Sequence, residues 1–202
     1  MTELLLASQS PRRVELLASM GVQFQQQAMD IDESRLGLEA PEEYVERLAK
    51  TKAQAGYEWF CRTKTPERLV SLGADTIVVV GAEENEILGK PRGLKDSIAM
   101  LRTLSGSKHV VFSGVAVTDG ARTESTVVRT EVYFRTMSED EIVSYAESGE
   151  GADKAGSYGI QGIGGIFVER IEGSFSSVMG LPVAETEVLL RKLDVEVCTS
   201  HG

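Results

Sequence analysis

The sequence has little of what several common protein chemistries require. It contains only two cysteines, Cys61 and Cys198, and two histidines, His109 and His201. At these spacings they form neither a disulfide framework nor a zinc-binding motif, and they exclude a histidine-rich metal site. No apolar run is as long as a membrane span, and the N-terminal apolar stretch is too short for a signal peptide. We therefore expect a cytoplasmic protein that does not bind a membrane.

The chain also lacks an excess of positive charge. With 21 Lys and Arg against 31 Asp and Glu, its formal net charge is −10, so the molecule as a whole repels a nucleic-acid polymer. A small phosphorylated ligand is compatible with this charge, because local cations and a divalent metal can outweigh distant diffuse charge. The fingerprints GxxxxGK[ST] and GxGxxG are absent, so neither a Walker-type NTPase nor a dinucleotide-binding Rossmann domain is indicated.

Strand patterns alternate with helix patterns along the chain, which predicts an α/β fold. Residues 73–81 (GADTIVVVG) form a nearly continuous apolar run, typical of a central strand buried on both faces. A long helix is predicted to begin at Pro41, because proline suits the first helical position. Residues 22–27 are predicted to form a strand and residues 62–68 a polar loop.

The first predicted helix carries an unusual charge pattern. It begins at Pro11 with Ser10 as its N-cap, and its first turn contains Arg12 and Arg13. A helix N-terminus already carries partial positive charge and unpaired N–H groups, so two cations there are unfavourable by themselves. An anion between them, most commonly phosphate, would explain the pattern. The alternative is a pair of solvated arginines whose repulsion is softened by Glu15.

Three further residues lie where a charge is costly or constrained. Asp75 lies in the predicted buried strand, so its carboxylate needs a partner. It could cap a strand turn or pair with a lysine, or it could bind a metal ion or act as a general base for water. Lys52 lies on or beside the apolar face of the helix that begins at Pro41, where a snorkelling side chain is the alternative. Lys90 is held extended by the following proline or is an ordinary turn lysine.

The C-terminal third is rich in glycine. Nine of the 20 glycines lie between Gly149 and Gly180, which indicates unusual backbone angles or close approach of a ligand. Lys154 in this region could contact phosphate or form an exposed salt bridge with Asp153. Gln161 could recognise a base edge by donating and accepting hydrogen bonds at once, or could satisfy its own turn.

Taken in order, these segments resemble the Maf family of nucleotide pyrophosphatases over about residues 4–193. The matching blocks are 7–13 (ASQSPRR), 15–17 (ELL), 73–76 (GADT), 89–91 (GKP), 104–106 (LSG) with His109, 153–156 (DKAG), 161–162 (QG) and 180–182 (GLP). The resemblance implies one domain over residues 1–202, with a mixed central sheet flanked by helices. It also implies two lobes with a cleft, similar to the inosine triphosphate pyrophosphatases.

The resemblance further implies an activity. Members hydrolyse a nucleoside triphosphate between the α and β phosphates with a divalent cation, Mg²⁺ or Mn²⁺, and many are homodimers. The implied roles are proton acceptor for Asp75, substrate selection for Arg12, Thr76 and Gln161, phosphate contact for Ser8, Arg13, Lys52, Lys90 and Lys154, and metal coordination for Asp75 and Glu33.

One block bears on the substrate. Residues 157–162 (SYGIQG) resemble the branch that acts on dTTP and UTP, whereas the 7-methyl-GTP branch has Glu at the position of Gln161. An amide can complement the O4 and N3–H edge of thymine or uracil. A pyrophosphatase for dTTP and UTP, and for modified pyrimidine nucleotides, is therefore expected. The alternatives are a pyrophosphatase for 7-methyl-GTP or other modified nucleotides, and a nucleotide-binding regulator of cell division with little turnover.

Overall fold

The computed structural model describes residues 2–81 and 86–197. The sequence also predicts a turn at residues 83–86, of which 83–85 lie outside the described residues, as do Cys198 and His201. The strands are β1 (Glu3–Leu6), β2 (Gln25–Gln26), β3 (Leu69–Val80), β4 (Glu86–Leu88), β5 (Lys108–Thr118), β6 (Thr123–Phe134) and β7 (Val168–Glu172). The α-helices are α1 (Pro11–Ser19), α2 (Pro41–Thr63), α3 (Leu94–Leu104), α4 (Glu139–Glu147), α5 (Phe175–Met179) and α6 (Val183–Lys192).

The strands form one mixed sheet in the order β2-β1-β3-β5-β6-β7, with β4 paired to β3. Strand β1 runs parallel to β2 and β3, whereas β4 and β7 are antiparallel to β3 and β6. Helices α1 and α2 lie in the connections between the parallel strands, as such crossovers require. The predicted α/β class, with a mixed sheet and flanking helices, is confirmed.

The chain divides into two compact units. The first consists of Met1–Asp75, Ser113–Val128 and Gly180–Gly202, and the second of Thr76–Phe112 and Arg129–Met179. Each unit has its own apolar core, because the buried residues of each cluster with one another. The cores include Leu6, Leu72, Val115 and Leu190 in the first unit and Val78, Leu104, Phe134 and Phe167 in the second.

Helix α2 lies very close to strand β3 in the first unit. A Cβ atom on Gly73 would lie 2.3 Å from the carbonyl oxygen of Ala49 and 2.4 Å from the nitrogen of Ala53. Similarly, a Cβ atom on Gly56 would lie 2.6 Å from Oγ of Ser71. All three distances are far below van der Waals contact, so only glycine at these two positions permits α2 and β3 to approach this closely.

The structure corrects two boundaries. The predicted strand over 22–27 is limited to Gln25 and Gln26, which pair with the last two residues of β1. The loop predicted from residue 62 begins later, because α2 continues to Thr63. The last turn of α2 is stabilised by the buried side chain of Phe60, which packs with Leu5 and Leu69. None of the helices described is long and apolar enough to cross a membrane.

Candidate active site

Asp75 and Lys52 form a largely buried ion pair in the first unit. Ser71, Gly73 and Asp75 alternate along β3 and therefore share the face toward α2. Because Gly73 lets α2 approach this face, Lys52 reaches the strand, and its Nζ lies 2.7 Å from Oδ1 of Asp75. Each of the two residues is only 8% exposed. The sequence-based placement of Lys52 on the buried face of its helix is confirmed.

The same ammonium group binds a second carboxylate. Nζ of Lys52 lies 2.7 Å from Oε1 of Glu33, whose side chain is 58% exposed. Glu33 belongs to the acidic loop between β2 and α2, and the hydroxyl of Tyr44 donates a 2.7 Å hydrogen bond to its carbonyl oxygen. The ammonium group of Lys52 thus binds both a buried carboxylate, that of Asp75, and an exposed one, that of Glu33.

Sequence reasoning missed two residues that hold this loop. Besides Tyr44, Arg47 donates to the carbonyl oxygen of Ser34 at 3.0 Å and binds Glu39 through both of its carboxylate oxygens. Burial raises the pKa of Tyr44, and the negative charge of Asp75 raises it further. The available signal was helical spacing, since residues 44 and 47 are three apart and are therefore neighbours on the helix surface.

Arg13 is fixed beside this group by two hydrogen bonds. Its Nε donates to the carbonyl oxygen of Gly180 at 2.8 Å, and its Nη1 donates to Oγ of Ser8 at 3.2 Å. Desolvation of its guanidinium lowers the pKa of Arg13, and the nearby charge of Asp75 opposes this shift, while Arg12 adds to it. The first unit therefore gathers six predicted residues: Ser8, Arg12, Arg13, Glu33, Lys52 and Asp75.

Ser10 has the predicted position at the start of α1, but its hydroxyl does not have the predicted capping role. Ser10 occupies the N-cap position of α1 with an extended backbone, but its hydroxyl makes no capping bond to the described residues. Instead, its own N–H donates to Oγ of Ser8 at 3.2 Å. The hydroxyl of Ser8, which is buried, thus receives hydrogen bonds from both the start of α1 and Arg13.

The second unit contains the other predicted site residues. The segments that carry Lys90 and Lys154 are neighbours, since the N–H of Gly156 donates to the carbonyl oxygen of Gly89 at 3.1 Å. Lys154 also pairs with Oδ1 of Asp153 at 2.6 Å, so the salt bridge considered from the sequence is present. Lys90 is exposed.

Gln161 and Thr76 also belong to the second unit. Gln161 is exposed in the glycine-rich segment, between the short 3₁₀ helices Ala155–Ser157 and Ile163–Phe167. Thr76 directly follows Asp75 in β3 and is partly exposed. An exposed amide on a glycine-rich backbone is available to a ligand, as selection of a base requires.

The carboxylates of this site are also candidate ligands for a metal ion. No group of three or more His, Cys, Asp or Glu side chains suited to a metal occurs within residues 2–81 and 86–197. Asp75 and Glu33, however, both place a carboxylate oxygen 2.7 Å from one cationic centre, the Lys52 ammonium. Two carboxylates suit Mg²⁺, which is commonly bound through one or two carboxylates together with water and substrate phosphates.

The fold and this charge arrangement define an α/β protein with a buried carboxylate among cations, suited to a phosphorylated ligand. The chain belongs to the Maf family, whose model, described as Maf-like protein, matches residues 3–193. The predicted family is thereby confirmed.

Curated relatives match nearly the whole chain. This chain is 50% identical over 192 residues to a dTTP/UTP pyrophosphatase of Pseudoalteromonas atlantica, and the match covers 95% of this chain and 97% of the relative. It is 51% identical over 191 residues to a dTTP/UTP pyrophosphatase of Vibrio cholerae, covering 95% and 98%. A dTTP/UTP pyrophosphatase of Escherichia coli is 48% identical over 190 residues, or 94% and 92%.

Proposed function

We propose that this protein hydrolyses dTTP and UTP to the nucleoside monophosphate and pyrophosphate. The observation that carries the proposal is the buried Asp75 carboxylate, held by Lys52 at 2.7 Å beside the fixed guanidinium of Arg13. A protein that only binds nucleotide gains nothing from a carboxylate facing phosphates, because like charges repel. Relatives named dTTP/UTP pyrophosphatase, at about half identity over nearly the full length, support the same substrates.

Asp75 acts as the general base in this proposal. Water attacks the α-phosphorus, the bond from that phosphorus to the oxygen bridging toward the β-phosphorus breaks, and pyrophosphate leaves with that oxygen. The proton of the water passes to the Asp75 carboxylate. Because Lys52 binds Oδ1, Oδ2 is the atom that accepts it, and the ion pair fixes the carboxylate for this transfer.

The cationic residues stabilise the substrate and the leaving group. Arg13 and Lys52 neutralise charge of the triphosphate, and Ser8 adds a hydroxyl contact. Phosphate contact is also the role that we propose for Lys90 and Lys154. Preorganised cations of this kind stabilise charge that develops on phosphate oxygens. Arg12, Thr76 and Gln161 select the nucleotide.

The reaction also uses a divalent cation, Mg²⁺ or Mn²⁺, in our proposal. Asp75 and Glu33 are the residues that would hold it. When bound, such an ion neutralises phosphate charge and polarises the phosphoryl group. The protein acts in the cytoplasm, where nucleoside triphosphates are available, and as a homodimer, which analytical ultracentrifugation can test.

A nucleotide panel tests this function. Pyrophosphate release is measured with dTTP, UTP, CTP, ATP, GTP and 7-methyl-GTP, each with Mg²⁺, with Mn²⁺ and with EDTA. We expect the highest kcat/KM for dTTP and UTP and no turnover with EDTA. A higher value for 7-methyl-GTP would support the alternative enzyme, and no turnover of any nucleotide would support a binding protein.

Isotope labelling tests the bond that is broken. In water enriched in oxygen-18, attack at the α-phosphorus places the label in the monophosphate. Attack at the β-phosphorus would place it in pyrophosphate instead. Release of diphosphate and inorganic phosphate would contradict the proposed reaction altogether.

A further inference from the structure

The glycine-rich segment that carries Gln161 is wrapped around one carboxylate, that of Glu150. Oε1 of Glu150 accepts hydrogen bonds from the hydroxyl of Tyr145 at 2.8 Å and from the N–H of Gly164 at 2.9 Å. Its Oε2 accepts from the N–H of Ile163 at 2.8 Å. These two backbone groups lie two and three residues after Gln161, so the chain following Gln161 is held by the carboxylate.

The chain preceding Gln161 is held by the same network. The N–H of Gly159 donates to the hydroxyl of Tyr145 at 3.0 Å, and that hydroxyl in turn donates to Glu150. Gln161 therefore lies between Gly159 and Ile163, whose N–H groups are both held by this network, while its own side chain is exposed.

The glycines of this segment are required by the close approach to these groups. A Cβ atom on Gly162 would lie 2.4 Å from Oε2 of Glu150, and one on Gly164 would lie 2.5 Å from the hydroxyl of Tyr145. Neither φ angle lies in the left-handed region, so space, not backbone conformation, explains why these two positions are glycine.

The carboxylate of Glu150 stays ionised in this setting. Partial burial raises its pKa, but hydrogen bonds from Gly164, Ile163 and Tyr145 outweigh burial and lower it below the usual value. An ionised carboxylate with several N–H and O–H donors makes strong, short hydrogen bonds. The loop is thus fixed by charge-assisted bonds and not only by packing.

The main chain of Glu150 serves a second predicted contact. Its carbonyl oxygen accepts a hydrogen bond from Nζ of Lys154, one of the proposed phosphate-binding residues. Glu150 therefore connects the position of a phosphate contact with the position of a base contact, although its own carboxylate is directed into the loop.

We infer that Glu150 is a positioning residue for nucleotide selection, which sets the backbone that presents Gln161 to the base. The inference rests on the proposed function, since it assigns a role in choosing the substrate. Glu150 does not contact the reacting atoms in this role. It preorganises the loop, which lowers the entropy lost when the nucleotide is bound.

Glu150→Gln tests the inference with a change of one atom. An amide NH₂ cannot accept a hydrogen bond from the N–H of Ile163. The bond from Ile163 to Oε2 is therefore lost, and two N–H donors face each other in its place. We expect KM for dTTP to rise about tenfold, with kcat changed less than about threefold, because binding is lost more than chemistry. The preference for dTTP and UTP over the other nucleotides should fall by a similar factor.

A second variant and a matched control accompany it. Tyr145→Phe keeps the carboxylate but removes the hydroxyl that joins Gly159 to Glu150, and we expect the same direction with a smaller effect. Glu147→Gln makes the same chemical change at an exposed position of α4 and should leave KM, kcat and nucleotide preference unchanged.

Hydrogen exchange separates failure of this inference from failure of the proposed function. In both variants the amide of Gly159 should exchange faster, and in Glu150→Gln those of Ile163 and Gly164 as well, whether or not the enzyme turns over dTTP. If the wild-type protein hydrolyses dTTP and Glu150→Gln speeds exchange without changing nucleotide preference, the inference is wrong while the function stands. If the wild type hydrolyses no nucleotide, the function is wrong, and unchanged exchange would overturn the loop assignment independently.

Discussion

Nζ of Lys52 lies 2.7 Å from Oδ1 of Asp75, and both side chains are almost enclosed by the first unit. A buried ion pair is stabilising only while both partners are present, because either charge alone is costly in a poorly hydrated site. This pair therefore links the folding of α2 on β3 to the chemistry proposed for Asp75.

Removal of the lysine charge should destabilise the fold. In Lys52→Met the Asp75 carboxylate loses its partner, and we expect the free energy of unfolding to fall by about 3 kcal/mol. Lys50→Met on the same helix breaks an exposed pair with Glu46 and should cost less than about 1 kcal/mol. Urea unfolding measures both. Equal losses would show that the buried pair contributes no more to stability than the exposed pair. Asp75→Asn in the Lys52→Met background should recover part of the stability.

Asp75→Asn should abolish turnover while nucleotide binding remains measurable. Asparagine has nearly the same size, and its carbonyl oxygen can still accept from Lys52, but the amide cannot take a proton from water. Loss of a general base lowers kcat by about 10²- to 10⁴-fold. Pyrophosphate release gives kcat, and calorimetry gives the affinity for dTTP. A variant that retains wild-type kcat would exclude Asp75 as the base.

Gly73→Ala should separate the ion pair by forcing α2 away from β3. The added methyl group would overlap the backbone of Ala49 and Ala53, and such overpacking costs about 1–3 kcal/mol. Activity should fall as well, because Lys52 moves with its helix. Gly89→Ala is the control for stability, since a Cβ atom there meets nothing within 4 Å. Matching melting temperatures for the two variants would contradict the close-packing argument.

Gln161→Glu should reduce activity on dTTP and UTP selectively. A carboxylate accepts hydrogen bonds but cannot donate one to O4 of the base, so we expect kcat/KM for these two nucleotides to fall about tenfold or more. The same panel of nucleotides provides the measurement. A uniform loss with all of them would show that Gln161 supports the loop and does not select the base.

Stability should fall as the pH drops below about 6.5, in part through His109. Burial lowers the pKa of His109 from 6.5 to about 3, while its Nε2 lies 2.9 Å from the hydroxyl of Tyr158. Between these two values the unfolded chain binds a proton that the folded protein excludes, so acid favours unfolding. The expected loss is about 2 kcal/mol at pH 5 relative to pH 8.

Urea unfolding of the wild type and of His109→Gln at several pH values isolates this contribution. The variant should be less stable at neutral pH, because a buried contact changes, but its stability should depend less on pH between about 5 and 7. Parallel curves for the two proteins would show that His109 does not cause the dependence.

Local features of the sequence predict the elements well. Helices α1 and α2 begin at Pro11 and Pro41, as predicted from the preference of proline for the first helical turn. The apolar spacing of α2 correctly places Lys52 against the sheet. The error at residues 62–63 arises because Phe60, packed against two strands, stabilises a further turn that local polarity argues against.

The sequence by itself determined the class, the family and the residue types of the site, because periodicity, capping and motif blocks depend on neighbours in the chain. Only the tertiary structure decided that Lys52 joins Asp75 to Glu33, and that Glu150 organises the loop of Gln161. These contacts depend on how closely backbones approach. That distance is set at glycines such as Gly73 and Gly162, where packing and not local preference determines which groups can meet.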